Sequence, residues 1–416
     1  MVVVPKLPVA IVHNIFTQLR EDPDWFPCRE AILACTYVCR DWRDTAHAIL
    51  FRSVKLYSHQ RYDLFRDLVV STPRIAAYVR SLKIIGSWCE DLYPLPPFLL
   101  LEILEVLPNI RHVGLHSITL LGWPAYNALP PEPFRLRGKL VIESTQNGPY
   151  FNQHCLRLDL LRLFTDVDHL VLLENVNDDD VIGRMTANRR GIPPPVVRKL
   201  TFGGPDCYLD YNYQCGGLDT AHLQSIDVEV TNRAEARHAG KILRKYGPNL
   251  RELELSLCEA VVKDRSKRGP KGAPLPTLLE LGVLARIERM ILRIHHTRWP
   301  ELKSTLNELA RLFCGAYSAA LAAVPSGTLR ELTFIFVMPH TAEEFASAAV
   351  HFAPLIVQAV ERFPKLEKIL LVVARTLTSE QCNAALRKVM PETVADRGLI
   401  RYDHWNGKWA KIDDDD

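Results

Sequence analysis

The chain lacks long hydrophobic runs, a surplus of either charge, paired cysteines and the signatures of the common enzyme classes, and each absence removes a kind of protein. No stretch approaches the roughly 20 uninterrupted apolar residues of a spanning helix. The richest runs, near Leu99 and Ala320, are broken by Glu102, Glu105 and Arg311. The opening MVVVPKLPVAIVHNIF is interrupted by Lys6 and two prolines, and no small-residue cleavage site follows, so it does not read as a secretory signal. Fifty-one basic against 48 acidic residues leave a formal charge of +3. That balance gives no overall attraction to nucleic acid or to an anionic membrane, and neither is expected as a partner. Ten cysteines are scattered without paired spacing. Cys35 and Cys39, at i,i+4, read as small apolar side chains, and a reducing compartment, cytoplasmic or nuclear, is expected.

Catalytic patterns are missing too. There is no G-x-S-x-G, no phosphate-binding loop, no G-x-G-x-x-G, no H-E-x-x-H and no C-x-x-C. Adjacent His295 and His296 point to opposite sides of a strand end, and Asp178 to Asp180 suit a helix start better than a cation. Cys207 and Cys215 sit in a Gly-rich stretch with no histidine at ligand spacing. No catalytic residue, metal or cofactor is expected, and the chain reads as a binding protein. An enzyme with an unrecognised site on an α/β domain is the alternative from another class.

What is present begins with enough material for a large core. Of 416 residues, 48% are hydrophobic and 24% charged, which suits two structural units. From Leu7 the sequence reads LPVAIVHNIFTQL, with proline at a helix start, where its missing donor costs nothing. Ile11, Ile15 and Leu19 share one helical stripe. Val12 and Phe16, with Leu19, form a second, so the helix is apolar over more surface than one small core covers. After a polar loop, REDPDWFPC, a second helix carries Ala31, Ile32, Leu33, Cys35, Val38 and Cys39. A third follows Asp41 with Trp42, Ala46, Ile49, Leu50 and Phe51. On pattern alone, these helices equally suit a cap on the downstream domain.

Leu7-Pro8, Ile11, Ile15, Leu19, then Cys35, Val38-Cys39-Arg40, Trp42 and Leu50-Phe51 resemble the F-box over residues 5 to 52. The chain departs from that family at Ala10, where an acidic residue is frequent, and in a longer loop from Arg20 to Glu30. The resemblance implies that an exposed apolar stripe docks on the Skp-type adaptor of a cullin-RING ubiquitin ligase. It nominates Leu7, Pro8, Ile11, Ile15, Leu19, Leu33, Val38 and Trp42 as contact or supporting residues.

Downstream, an apolar-x-x-apolar-x-apolar pattern recurs, as in VRSLKI, IRHVGL, VDHLVL, VRKLTF, LQSIDV, LRELEL, IERMIL, LRELTF and LEKILL. Its centres are Leu82, Val113, Leu170, Leu200, Ile226, Leu253, Met290, Leu332 and Ile369. LRGKLVIES, centred on Leu140, fills the one long gap. Helices are expected between them, over Leu95–Leu107, Thr231–Tyr246, Glu301–Val324, and from capping boxes at Thr341/Glu344 and Thr378/Gln381. One strand per unit, always returned by a crossover of the same hand, gives a parallel sheet. The pattern resembles an irregular leucine-rich repeat, completed only by LRELELSLC and VDHLVLLEN. An ordinary α/β domain with a parallel sheet is the plainer alternative.

The expected fold class is therefore α/β: a short N-terminal three-helix F-box-like module over residues 1–52, followed by an irregular leucine-rich-repeat solenoid with parallel strands. A helical junction over 53–78, with Leu64, Phe65, Leu68 and Val69 on one face, joins the module to the repeats. These run over 79–412 and end in a cap, where Asn406-Gly407 turns a hairpin between Trp405 and Trp409. An acidic tail follows over 413–416. Long loops are expected over Gly203–Gly217 and Lys263–Pro274, the second basic but more simply solvated than an import signal.

Side-chain alternation puts Asp227, Glu229, Glu252 and Glu254 on one open sheet face, followed by Arg289 and Arg293. A client with basic residues is expected against the acidic strands and beside the arginine strand. The resemblance, with this face, implies a substrate-recognition subunit that joins the adaptor, and through it the cullin-RING ligase, to a client of unknown identity. A scaffold with a vestigial F-box is the other binding reading.

Overall fold

In the computed structural model every centre of the repeated pattern lies in a strand and is buried: Leu82, Val113, Leu140, Leu170, Leu200, Ile226, Leu253, Met290, Leu332 and Ile369. The structure describes residues 7–21, 25–57, 59–86, 94–95, 97–120, 133–143, 146–147, 161, 163–173, 195–203, 221–258, 261–262, 275–295, 306–336 and 341–404. The chain divides into two compact units, Met1–Asp168 and His169–Asp416.

The first unit opens with three helices, α1 (Val9–Glu21), α2 (Trp25–Cys35) and α3 (Arg40–Leu50). The proposed loop is thus partly helix, because Pro27 falls in the first turn of α2, where no intrahelical donor is lost. Val38 and Cys39 stand in the turn after α2 rather than in it. Next come β1 (Ser53–Leu56), α4 (His59–Ser71), α5 (Pro73–Ala76), β2 (Ser81–Ile85), β3 (Pro94–Leu95) and α6 (Pro97–Glu105). They are followed by β4 (His112–His116), β5 (Thr119–Leu120), β6 (Phe134–Glu143), β7 (Gln146–Asn147) and β8 (Phe164–Leu173).

The junction departs from expectation in two ways. It starts with a strand, β1, which pairs in parallel with β2, Ser53 opposite Ser81. In α4 the buried side chains are Tyr62, Phe65 and Val69, while Leu64 is exposed. Tyr62 sets this phase: its ring is enclosed and its hydroxyl donates to the Leu99 carbonyl, which leaves Leu64 on the outside.

The second unit continues with β9 (Val196–Gly203), β10 (Ser225–Val230), α7 (Arg233–Tyr246), β11 (Glu252–Cys258), α8 (Leu275–Leu279), β12 (Arg289–His295) and α9 (Leu306–Ala323). It ends with β13 (Glu331–Ile335), α10 (Ala342–Arg362), β14 (Lys368–Val373), α11 (Ser379–Arg387), α12 (Glu392–Ala395) and β15 (Ile400–His404). The division falls inside β8, so that strand belongs to both units. The hydrogen-bonded order is β1-β2-β4-β6-β8 in the first and β8-β9-β10-β11-β12-β13-β14-β15 in the second, twelve strands among the described residues. The pairings described are parallel, and strand order follows chain order as in a solenoid. The first unit adds a small parallel sheet, β3-β5-β7, that the pattern does not announce.

Boundary chemistry accounts for several helices. Asn232 caps α7, accepting from Ala234 N (2.9 Å) and Glu235 N (3.0 Å), so the helix starts two residues later than its apolar pattern. Both expected capping boxes are present, Thr341 with Glu344 and Thr378 with Gln381. Such caps stabilise a helix by about 1 kcal/mol each. Helix α9 is described only from Leu306, and α6 is shorter than its apolar run because Pro94–Leu95 is given to β3. The Arg362 guanidinium of α10 donates to the carbonyls of Leu321 (2.9 Å), Ala322 (2.6 Å) and Val324 (2.9 Å), satisfying the end of α9. The expected terminal hairpin and acidic tail lie outside the described residues, as do Lys263–Pro274 and the Gly203–Gly217 stretch beyond Gly203. Ile400–His404, within the expected cap, is a parallel strand beside β14.

Gly240 sits where α7 meets α8: a Cβ there lies 1.8 Å from the Leu278 carbonyl oxygen. Gly315, exposed on α9, has nothing within 4 Å of that position. Gly240→Ala is therefore expected to cost more than about 2 kcal/mol and Gly315→Ala to add about 0.5–1 kcal/mol, read by urea unfolding. Equal effects would refute this account of the helix layer.

Candidate protein-docking surfaces

The N-terminal helices share a small core of Val12, Phe16, Ile32, Ala46 and Ile49, with Leu19, Cys35, Trp42 and Leu50 packed around it. Phe16 meets Trp42 edge to face, with ring centroids 6.1 Å apart. Of the two stripes on α1, the core takes Val12 (2% exposed) and Phe16 (3%). The other stripe stays outside: Ile11 is 46% and Ile15 43% exposed. Leu7 and Pro8 are exposed at the entry to this helix, and Leu7, Ile11 and Ile15, four residues apart, share one face.

Leu33 on α2 and Val38 in the following turn are also exposed. That turn is fastened: Thr36 Oγ1 donates to the Leu33 carbonyl (2.7 Å) and Arg43 Nε to the Thr36 carbonyl (3.1 Å). Val38 is thus presented on an ordered turn. The nominated residues divide accordingly. Leu7, Pro8, Ile11, Ile15, Leu33 and Val38 are outside, whereas Leu19 and Trp42 are half-buried supports of the core. Val9 and Tyr37 are exposed as well and were not nominated. Tyr37 was findable, as an aromatic beside Val38 in the TYVCR run.

The second candidate is the open sheet face of the second unit. Pairing register lines up Lys199, Ser225, Glu252, Arg289, Glu331 and Lys368 on six adjacent strands. Arg289 lies between two carboxylates, with Nη1 2.8 Å from Glu252 and Nε 2.9 Å from Glu331. Glu252 also accepts from Ser225 Oγ (3.0 Å) and lies 3.8 Å from Lys199. Glu252 is therefore surrounded by partners within the chain, and the row reads as alternating charge, not as an acidic patch open to a basic segment.

Two residues further along each strand, Thr201, Asp227, Glu254 and Ile291 are in register. Glu254 is only 3% exposed, and Arg293 stands 3.9 Å from its carboxylate. Thr201 Oγ1 connects His169 (2.8 Å) to Asp227 (3.4 Å). Burial, then the Glu254 charge, raises the Asp227 carboxyl far above its usual range, against the opposing pull of Lys199 and Arg293. Burial likewise raises Glu254. Asp227, Glu229, Arg289 and Arg293 are half-buried or paired side chains of this face, and Glu254 belongs to its interior. Sequence spacing placed all six on one face but left their pairing unread.

Neither surface assembles a nucleophile, base and acid. Among the described residues no group of three metal-ligating side chains could hold an ion. His295 ends β12, while His296, Asp178 to Asp180, Cys207 and Cys215 lie outside the described residues. No helix among the described residues is long and apolar enough to cross a membrane. No protein-family model matches the chain, and no curated protein is found to be similar to it.

Phe16→Ala is expected to cost about 3–5 kcal/mol and to unfold the helical module, whereas Ile15→Ala stays within about 0.5 kcal/mol. Hydrogen exchange of α1–α3 separates the two. A second expectation concerns pH. The folded Asp227 pKa is raised to about 8, above its unfolded value, so the native state holds a proton the unfolded chain releases. The contribution of Asp227 to stability should fall as pH rises from about 4 to about 8, and Asp227→Asn should remove that contribution from the pH profile. An unchanged slope in the variant would refute the assignment.

Proposed function

We propose that the chain is a substrate-recognition subunit of an SCF-type cullin-RING ubiquitin ligase, holding a Skp-type adaptor with its N-terminal helices and a client protein with its parallel sheet. The supporting observation is the division of labour on α1. Val12 and Phe16 fill the module's core, while Leu7, Ile11 and Ile15 remain in water. Large apolar side chains held outward in an ordered helix favour burial by a second polypeptide. The F-box resemblance names the polypeptide that such a stripe fits.

In this reading the chemistry is carried out by other subunits, and the chain contributes position, raising the concentration of client lysines near the conjugating enzyme. The reading places the protein in the cytoplasm or nucleus. The sheet face of the second unit supports a client that reads alternating charge rather than a uniformly basic one. Exposed Arg289 and half-buried Glu331 are better probes of that surface than buried Glu254.

The deciding experiment is binding of purified Skp-type adaptor to the intact chain and to Ile11→Asp/Ile15→Asp. Because both side chains are outside the core, the variant should keep its melting temperature. Loss of two buried apolar contacts and introduction of charge should weaken binding at least about tenfold. No binding by the unaltered chain, or equal binding by the variant, would refute the ligase reading and favour a scaffold whose helices serve another purpose.

A further inference from the structure

At the amino ends of the strands in the first unit, the backbone lines up three arginines. The N–H groups of Arg80 and Ser81 donate to the Arg52 carbonyl (2.9 and 3.0 Å), and those of Arg111 and His112 to the Arg80 carbonyl (2.8 and 3.0 Å). Arg52, Arg80 and Arg111 thus occupy neighbouring strands about 4.8 Å apart, where like charges repel. Among the described residues none of the three guanidinium groups has a hydrogen bond or ion pair. Arg80 and Arg111 are exposed and Arg52 is half-buried.

The second unit provides an internal comparison. The same backbone bonds there line up Arg198, Gln224, Arg251, Glu288, Arg330 and Glu367. That row contains opposite signs in contact, Arg251 with Glu288 (3.9 Å) and Arg330 with Glu367 (3.1 Å). One unit neutralises its row and the other leaves it positive.

The adjoining sheet face in the first unit is also basic and incompletely satisfied. Ser81, His112 and Lys139 are in register, as are Lys83, Gly114 and Val141, then Ile85, His116 and Glu143. Alternation puts these residues on the face opposite Leu82, Val113 and Leu140. Ser81 is 6% exposed, yet its hydroxyl has no hydrogen-bond partner, and neither does Nε2 of His112 or of His116. His116 Nδ1 lies 2.6 Å from the Glu143 carboxylate, which fixes the ring and leaves Nε2 directed elsewhere. The space above Gly114 is taken by neighbours: a Cβ there lies 2.7 Å from His116 Nε2 and 3.1 Å from the stem of buried Lys83. Burial, then Lys139, Lys83 and His116, drives the His112 pKa down to about 3, so that ring is neutral at ordinary pH.

We propose that this face of the first unit is a binding site for a phosphate-type oxyanion, with Ser81, His112 and His116 as hydrogen-bond donors and Lys83, Lys139 and the arginine row as its positive surround. The sign of that surround excludes a metal cation. Three buried donor groups with no partner suit a compact ligand with several acceptor oxygens. A duplex backbone is too bulky to reach donors buried this deeply. The site shares no residue with the apolar stripe of α1 and stands whether or not that stripe docks an adaptor.

The test is calorimetry on the full chain with inorganic phosphate, O-phosphoserine, hexaglutamate and a duplex DNA, at two salt concentrations. Phosphate and phosphoserine should bind at one site, more weakly at high salt. Ser81→Ala removes one donor and Gly114→Ala adds a methyl without changing charge; each should weaken binding about tenfold. Arg80→Gln/Arg111→Gln, both exposed, should weaken binding, reduce its salt dependence and leave melting unchanged, which keeps the test valid if Gly114→Ala unfolds. Restoring charge with Arg80→Lys/Arg111→Lys should recover part of the affinity. Absence of phosphate binding, binding unaffected by all these variants, or tighter binding of hexaglutamate or DNA than of phosphoserine would each overturn the proposal.

Discussion

A parallel strand cannot turn directly into its neighbour. Each one must be carried back by a crossover and must arrive in register, or its entire apolar set moves to the wrong face. In this chain that constraint is met by one buried residue per strand. Leu82 pairs with Val113 and Val113 with Leu140; Leu200 pairs with Ile226, then Leu253, Met290, Leu332 and Ile369. All are buried, so a slip of one residue in any strand would bring a polar neighbour such as Glu252 or Arg289 into the core. Helices, caps and the open face all inherit their positions from this row.

The same register decides the electrostatics. Residues adjacent across strands of the large sheet are 26 to 42 residues apart in sequence, as with Asp227 and Glu254 or Arg289 and Glu331. Once the apolar row is fixed, no freedom remains in which charges meet. In the second unit this brings Glu252, Arg289 and Glu331 together as a near-neutral ladder, while Asp227 and Glu254 are forced side by side and burial raises both carboxyl pKa values. In the first unit it stacks Arg52, Arg80 and Arg111 with no acid between them. Compensation at one place and its absence at another, under one backbone geometry, make the contrast informative.

This also explains what could be read from the sequence. The repeat was legible because period-two burial leaves its mark within six residues, even in the weak LRGKLVIES copy, whose Leu140 is a buried centre like the others. Thr341 and Thr378 were legible because a capping box is complete within four residues. By contrast, β1 was missed because SVKL buries only Leu56 and its pairing depends on β2, 28 residues later. Helix α4 was given the wrong phase because Leu64-Phe65 and Leu68-Val69 permit two faces, and only the enclosed Tyr62 chooses between them. The charge ladder was invisible for the same reason: composition and local spacing do not specify which strand lies alongside which residue.

The N-terminal module is where local pattern and tertiary packing together narrow the alternatives. A helix with two apolar stripes has two outcomes: both are buried within the chain, or one is left for another surface. Val12 and Phe16 are enclosed by Ile32, Ala46 and Ile49, so a core exists and is filled. The exposure of Ile11 and Ile15 is therefore not the consequence of a module that failed to pack. Nor is it a fraying end, since Ile11 N and Val12 N donate to the Pro8 carbonyl (2.9 and 3.2 Å) and fix the first turn. Exposed branched side chains on an ordered helix cost solubility and add nothing to the fold of the unit that displays them. That asymmetry gives the proposed adaptor contact its physical basis, independently of any likeness between motifs.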